Sequence, residues 1–328
     1  MKRWYRLPLP KPVIYASQYL PARAVLLLLK GLPYGFALRA GNALAALAGV
    51  LDIPHRRVIR ENLRLAFAAS PLDRAEERRI ARAVFRHWGR LLADVPYLLR
   101  TLRRDNWTRF ADPTAPEPLR RLHAEGRGVI LVTGHIGNPE FGGWLAALAG
   151  LPIHSVANRL TNPWVNRLLE ELRTGSGQRI LYQEGALRQG AQVLERGDVV
   201  AFLADLHGRR QGLSIDFFGR EVSTMQGPAV LAVRTGSPVL PVAVVRQGSG
   251  PRYHVGWGEP IRPVPGAPAA AEVHRVTQAY TSALERFIRL WPEQWIWFHR
   301  RWKKSRPARR GGPQVIGPHQ PVAHGDVA

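Results

Sequence analysis

The chain has 328 residues, 45% of them hydrophobic, and 47 Lys and Arg against 24 Asp and Glu give it a net charge of +23. That length suffices for one large α/β domain with an extension, and the cationic excess points to an anionic partner: nucleic acid, an acidic membrane surface, or an acidic protein or substrate. Cysteine is absent, which excludes disulfides, thiolate metal sites and a cysteine-bound acyl intermediate.

Met1 to Pro12 is short, basic and punctuated by proline. Ala16 to Ile53 is the most apolar part of the chain and contains AVLLLLKGLPYGFALRAGNALAALAGVL. Lys30, Pro33 and Arg39 interrupt it, so no uncharged run approaches the roughly 18–20 residues of a membrane span. A Lys or Arg at the centre of a span costs about 2.5–3.5 kcal/mol on the insertion scale. No cleavage site of the signal-peptide kind stands out. A helix lying in the membrane interface with its basic residues snorkelling is one reading. A soluble helical hairpin packed on the domain is the other, and periodicity does not separate them.

Asp52 to Arg100 has a helical pattern: Ile80, Val84, Trp88, Leu91, Leu92, Val95 and Leu99 recur at spacings of three and four, with Arg and Glu on the opposite face. This predicts a packing helix, on which His87 is read as structural. From about Glu117 strands and helices alternate. The expected strands are Gly128–Thr133, Ile153–Ala157, Arg179–Tyr182, Val199–Ala204, Ser214–Phe218, Val239–Val245 and Tyr253–Trp257. Helices are expected at Phe141–Leu148, Pro163–Arg173, Ala186–Glu195, Pro228–Arg234 and Glu272–Leu290. Such alternation predicts an α/β fold, a mostly parallel sheet flanked by helices. The run PEQWIWFHRRWKK follows. Beyond Arg306 the composition, rich in Pro, Gly and polar residues, predicts a disordered tail.

The stretch GHIGNPE, Gly134 to Glu140, sits between the strand RGVILVT and the helix FGGWLAALAG. Asn138 suits an N-cap and Pro139 the first helical position, placing Glu140 in the first turn and His135 in the loop at the strand's C-terminal end. Ligands bind at that end of open α/β sheets. An imidazole there can take a proton from a hydroxyl near neutral pH, and a carboxylate a few residues away can hold the ring and stabilise the imidazolium. A loop histidine and a first-turn Glu favoured by the helix dipole form the bland alternative. No dinucleotide fingerprint, Walker A loop, serine elbow or His-Glu-x-x-His is present.

Five ordered blocks resemble the bacterial lipid A biosynthesis acyltransferase family, the late lauroyl/myristoyl transferases of the lysophospholipid acyltransferase superfamily. They are GHIGNPE, where the family often has Trp in place of Pro139; Ala204–Asp205; DFFGREVSTMQGPAVLAVRTGSPVLPV from Asp216; Gly258–Pro260; and PEQWIWFHRRWK from Pro292. The upstream RRVIRENLRLAF also looks like the family's N-terminal region. One departure is Leu206, where the family commonly carries Gln after the Asp.

The resemblance implies acyl transfer from an acyl carrier protein or coenzyme A thioester to a hydroxyl of a lipid A precursor, with no other cofactor and no metal. In that reading His135 is the general base and Glu140 orients it. Arg173 falls where the family carries an arginine thought to contact phosphate or aid the oxyanion, and Arg159 is the nearby alternative. Asp205 is expected to orient an arginine or the substrate, or merely to cap a turn. Thr224 and Gly227 match the family's Thr-x-x-Gly-Pro, and Asn138 is grouped with the substrate-binding residues.

Further expectations are a helical, membrane-associated region over 1–110, the α/β acyltransferase core over 111–305 and a tail over 306–328. The cytoplasmic face of the inner membrane is the expected location. Anionic membrane lipid and acyl carrier protein are the expected partners. Trp295, Trp297, Phe298, Arg300, Arg301, Lys303 and Lys304 form a mix suited to lipid headgroups; a core-facing Trp row on a basic helix is the alternative. A mannosylated phosphatidylinositol acceptor and a thioesterase on the same scaffold remain open. The charge alone suggests nucleic acid, but no nucleic-acid-binding signature supports it.

Overall fold

The computed structural model describes residues 10–208 and 212–303 together with the backbone of 306–307. The expectations for Met1 to Leu9, for Lys304 and for the tail beyond 307 fall outside the described residues.

The apolar stretch forms two helices, α1 (Lys11–Gly31) and α2 (Tyr34–Leu51). Lys30 lies in the last turn of α1, and Pro33 is the N-cap of α2. Two of the interruptions in the sequence therefore fall at the junction between helices, and each helix is long and apolar enough to cross a membrane by length and composition. Helix α1 buries no residue, while α2 buries Ala37, Gly41 and Ala45, a stripe at every fourth position. That stripe meets α4 (Arg74–Thr101) backbone to backbone: a Cβ on Gly41 would lie 2.2 Å from the carbonyl oxygen of Gly89. Large apolar side chains on the other faces stay exposed, among them Leu20, Leu28, Leu44, Leu47 and Val50.

Helix α3 (Ile53–Ala66) starts at Asp52, which accepts from the backbone N–H of His55, and α4 at Asp73, which accepts from those of Ala75 and Glu76. These bonds satisfy N–H groups that the first turn of a helix leaves free. On α4 Ile80 and Val84 are buried as expected, but Leu92 is exposed and the stripe passes instead through Ala93 and Leu98.

The six-stranded sheet has the order β3-β2-β4-β1-β7-β8. Strands β1 (Val129–Thr133), β2 (Ile153–Ala157), β3 (Arg179–Tyr182), β4 (Val199–Leu203) and β7 (Val239–Gln247) run parallel, and β8 (Arg252–Trp257) is an antiparallel edge. Helices α6 (Pro139–Leu148), α7 (Pro163–Thr174), α8 (Ala186–Glu195), α9 (Gly227–Thr235) and α10 (Ala269–Leu290) match the expected segments, and a short α5 (Glu117–His123) adds to them. Alternate residues of β1 feed two cores, Ile130 and Val132 one side, Val129 and Leu131 the other.

A second, antiparallel sheet joins β5 (Leu213–Asp216), β6 (Arg220–Thr224) and the two-residue β9 (Arg306–Pro307). The sequence pattern contained no strand at β6. Its charged start masks an alternation in which only Val222 and Thr224 are buried.

The aromatic-basic run departs from the headgroup expectation. Trp295 and Trp297 are fully buried and Arg301 is 1% exposed. Arg301 donates to the Ser223 carbonyl and to Thr224 Oγ1 at 2.6 Å and lies 5.1 Å over the Phe217 ring; burial pushes its pKa down to about 10. Only Arg300 and Lys303 of the four cations remain on the surface within the described residues. The tryptophan row faces the core, but from an irregular segment after a short 3-10 turn at Pro292–Gln294.

Candidate active site

Strand β1 delivers the chain into the site, and glycines allow its tight path. A Cβ on Gly134 would lie 3.0 Å from the Asp205 carboxylate, and one on Gly137, whose φ is 62°, would lie 1.9 Å from the Val244 carbonyl oxygen. The C-terminal segment closes over the loop: Ile296 N–H donates to the His135 carbonyl at 3.1 Å and Gly137 N–H to that of Gln294 at 2.9 Å. Asn138 then caps α6, with Pro139 in its first turn.

His135 is held by Asp205. Its backbone N–H donates to Oδ2 at 2.7 Å and its Nδ1 lies 2.8 Å from Oδ1, while Trp295 Nε1 donates to Oδ2 at 2.8 Å. A carboxylate only accepts, so Nδ1 carries the hydrogen and Nε2 is left as the acceptor in the neutral ring. Nε2 has no hydrogen-bond partner among the described residues, and the ring is 27% exposed where Asp205 is 0% exposed. Burial opposes charge on the ring, but the charge and hydrogen bond of Asp205 outweigh it and raise the His135 pKa above its ordinary value. Burial likewise opposes charge on Asp205, yet His135 and the Trp295 N–H hold that carboxyl below the usual range.

The carboxylate bonded to the His135 ring in this geometry is Asp205 rather than Glu140. Glu140 faces Arg173: Nε lies 2.9 Å from Oε2 and 3.1 Å from Oε1, and Nη2 2.5 Å from Oε1. Helix α6 points its first-turn carboxylate toward α7, where a guanidinium fork satisfies it. Its influence on His135 is through space, a smaller charge effect in the same direction as that of Asp205. Arg173 keeps Nη1 outside the pair with Glu140. Arg159 stacks on the Tyr182 ring at 3.7 Å.

Two of the other expected substrate residues, Asn138 and Thr224, are sealed in. Asn138 is 1% exposed, accepting from Phe141 N–H at 3.0 Å and donating to the Tyr253 hydroxyl at 2.9 Å. Thr224 is fully buried under Arg301, and Gly227 opens α9. Trp295, as a donor to Asp205, was not foreseen as a site residue. His299, whose pKa burial pushes down, is near enough to respond to the charges of Asp205 and His135.

Beside the loop, between the sheet and α6, runs a narrow apolar cavity. Leu131, Leu203, Val244 and Trp257 line it, and Thr133 and Pro139 place it on both sides of His135 in sequence. Gly142 and Gly143 line it too, and a Cβ on Gly142 would come 3.0 Å from Val244 Cγ2. Among the described residues no cluster of His, Asp and Glu is placed to hold a metal ion.

Residues 11–304 match the model of the bacterial lipid A biosynthesis acyltransferase family. The chain is similar to a phosphatidylinositol mannoside acyltransferase of Mycolicibacterium smegmatis, 31% identical over 182 residues that make up 54% of this chain and 57% of that protein. It thus spans little more than half the length of that relative. Similarity to an Escherichia coli lipid A biosynthesis palmitoleoyltransferase extends further, 29% over 286 residues, 84% of this chain and 87% of the relative. A lipid A biosynthesis lauroyltransferase of the same organism is 26% identical over 289 residues, 86% of this chain and 90% of the relative.

Proposed function

Because the chain belongs to the bacterial lipid A biosynthesis acyltransferase family, we propose that it is an O-acyltransferase moving a fatty acyl chain from a thioester to a hydroxyl of a glycolipid. The donor is acyl carrier protein or coenzyme A, and the acceptor a lipid A precursor. The observation that carries this reading is the His135 ring, with Nδ1 tied to a buried carboxylate and Nε2 open.

Nε2 takes the proton of the acceptor hydroxyl as its oxygen attacks the thioester carbonyl. The tetrahedral intermediate then expels the thiolate, which takes that proton from the imidazolium, leaving an ester and a free thiol. Asp205 stabilises the charged ring through both steps and keeps Nε2 in the basic tautomer. The chain has no cysteine, so transfer is direct rather than through a cysteine thioester. The apolar cavity accepts the acyl chain, as burial of methylenes favours at about 0.8 kcal/mol each. Arg173, fixed by Glu140, offers Nη1 to the developing oxyanion or to a phosphate of either substrate.

The exposed apolar faces of α1 and α2 seat the enzyme at the inner membrane's cytoplasmic face, and the +23 charge favours an anionic leaflet. A mannosylated phosphatidylinositol acceptor is a second reading, favoured by the similarity to the mycobacterial relative. Supplying purified enzyme with labelled thioester and each acceptor in turn distinguishes them. Mass spectrometry of lipids from cells with and without the gene is expected to show one lipid class losing one acyl chain, and unchanged lipids would refute the assignment.

A further inference from the structure

The loop that carries His135 is anchored from behind by groups outside the reacting centre. The Gly137 carbonyl faces Nε2 of His87, on α4, at 3.1 Å. Burial pushes the His87 pKa down to about 4, so the ring is neutral, and Nε2 carries the hydrogen it donates to that carbonyl.

On the next residue, the Asn138 side chain donates to the Tyr253 hydroxyl at 2.9 Å. That hydroxyl donates to Asp94 Oδ2 at 2.6 Å, and the Tyr253 ring stacks on Phe141. Asp94 also accepts from Arg246 Nε at 2.8 Å and from the Tyr34 hydroxyl at 2.7 Å. The Asp94 and Arg246 side chains are 0% and 2% exposed. Arg246 reaches the loop a second way. Its backbone N–H and carbonyl pair with the Gln294 side chain at 2.8 and 3.0 Å, and the Gln294 carbonyl accepts from Gly137 N–H.

The direction of these bonds is forced. A carboxylate offers no hydrogen, so the Tyr253 hydroxyl hydrogen must point at Asp94 and its lone pair at Asn138. That presents Asn138 with an acceptor, which turns its NH₂ toward Tyr253 and its Oδ1 toward the Phe141 N–H it caps. The start of α6, and with it the placement of His135 and Glu140, is thereby set by a carboxylate on α4. A buried ion pair adds little net stability over an apolar pair of similar shape, and stability alone leaves this one unaccounted for.

We propose that Tyr253 and His87 are positioning residues for acyl transfer, fixing the geometry of the 135–140 loop without touching substrate. This rests on the reading of His135 as the base. Small misplacement of a reacting group costs up to about 10²-fold in rate.

The test compares two hydroxyls on one carboxylate. Tyr253→Phe keeps the ring stack and removes the bond to Asn138, whereas Tyr34→Phe removes a bond to the same Asp94 without reaching the loop. The expected result in a purified transfer assay is a kcat at least about tenfold lower for Tyr253→Phe, with KM for the thioester within about twofold. Tyr34→Phe keeps kcat within about twofold at a similar loss of melting temperature. Equal kcat values for the two variants overturn the proposal. Should Tyr253→Phe fail to fold, the His87 series decides. His87→Gln retains a donor for Gly137 and keeps kcat, His87→Leu does not, and equal rates for those two also overturn it. His135→Ala in the same assay reports on the base separately: retained turnover there removes the general-base reading, while the Tyr253 to Tyr34 comparison still reports on the loop.

Discussion

Asp205 and Asp94 are both carboxylates with 0% exposure, each bonded to a cationic or ionisable partner and to further donors. Around Asp94 every bond is closed: Arg246 is permanently charged and its fork is shared among Asp94, Tyr34 and the Gly248 and Ser249 carbonyls. Around Asp205 the partner is a ring that titrates and keeps one nitrogen open to solvent. The same device, a buried acid with its donors satisfied, fixes a permanent cation in one place and raises the pKa of an imidazole in the other. What separates them is one unused lone pair.

Removing that lone pair is the strongest break. His135→Ala is expected to lower kcat by roughly 10²–10⁴ with the circular dichroism spectrum unchanged; near-normal transfer would falsify the mechanism. Asp205→Asn comes next, with a loss on the order of 10²-fold, because the ring is no longer held in its basic tautomer. The pH profile supplies the sign. Asp205 raises the His135 pKa, and a general base works above its pKa, so wild-type activity falls as pH drops through that raised value. Without the carboxylate the pKa falls, and the acid limb of kcat moves to lower pH. An acid limb that stays in place would mean that Asp205 is not the ring's partner.

Asp94→Asn sharpens the comparison from the other side. It leaves Arg246 buried with no carboxylate, and breaking such a pair costs about 3–5 kcal/mol, visible as a lower urea midpoint. Asp205→Asn is expected to cost less stability, since His135 can shed its proton where Arg246 cannot. Equal losses in the two variants would show that the His135 ring is not free to neutralise itself.

The sheet was legible because β1 is four apolar residues and a threonine, all buried, between glycines, and the main helices because apolar residues recur at three and four along α4 and Asn138 suits an N-cap ahead of α6. Strand β6 was not, since REVST carries charge at its start and shows a buried face only once paired with β5. In the candidate site the loop histidine was legible, and the carboxylate bonded to its ring was not. Glu140 is five residues away and Asp205 seventy, and local spacing favours the nearer acid when only the packing of β4 beside β1 brings the farther one to the ring. The tryptophan row was misplaced for a similar reason. Aromatics beside cations read as a headgroup belt until Asp205, Thr224 and the Pro292 carbonyl are seen to take the Trp295, Arg301 and Trp297 donors.

Glu140 supplies the smallest and most discriminating change. Its carboxylate is 34% exposed and satisfied by Arg173, so Glu140→Gln leaves an amide oxygen that still accepts one guanidinium N–H. The charge it removes contributes less to the His135 pKa than that of Asp205. The acid limb should therefore shift down by less than in Asp205→Asn, with kcat reduced by about tenfold or less, the scale of a partly lost electrostatic contact. The Arg173 charge is then no longer offset by a carboxylate, so KM for a phosphorylated acceptor is expected to hold or fall. A kcat loss equal to that of His135→Ala, with the acid limb displaced as far as in Asp205→Asn, would return the orienting role to the first turn of α6 and reduce Asp205 to a structural acid like Asp94.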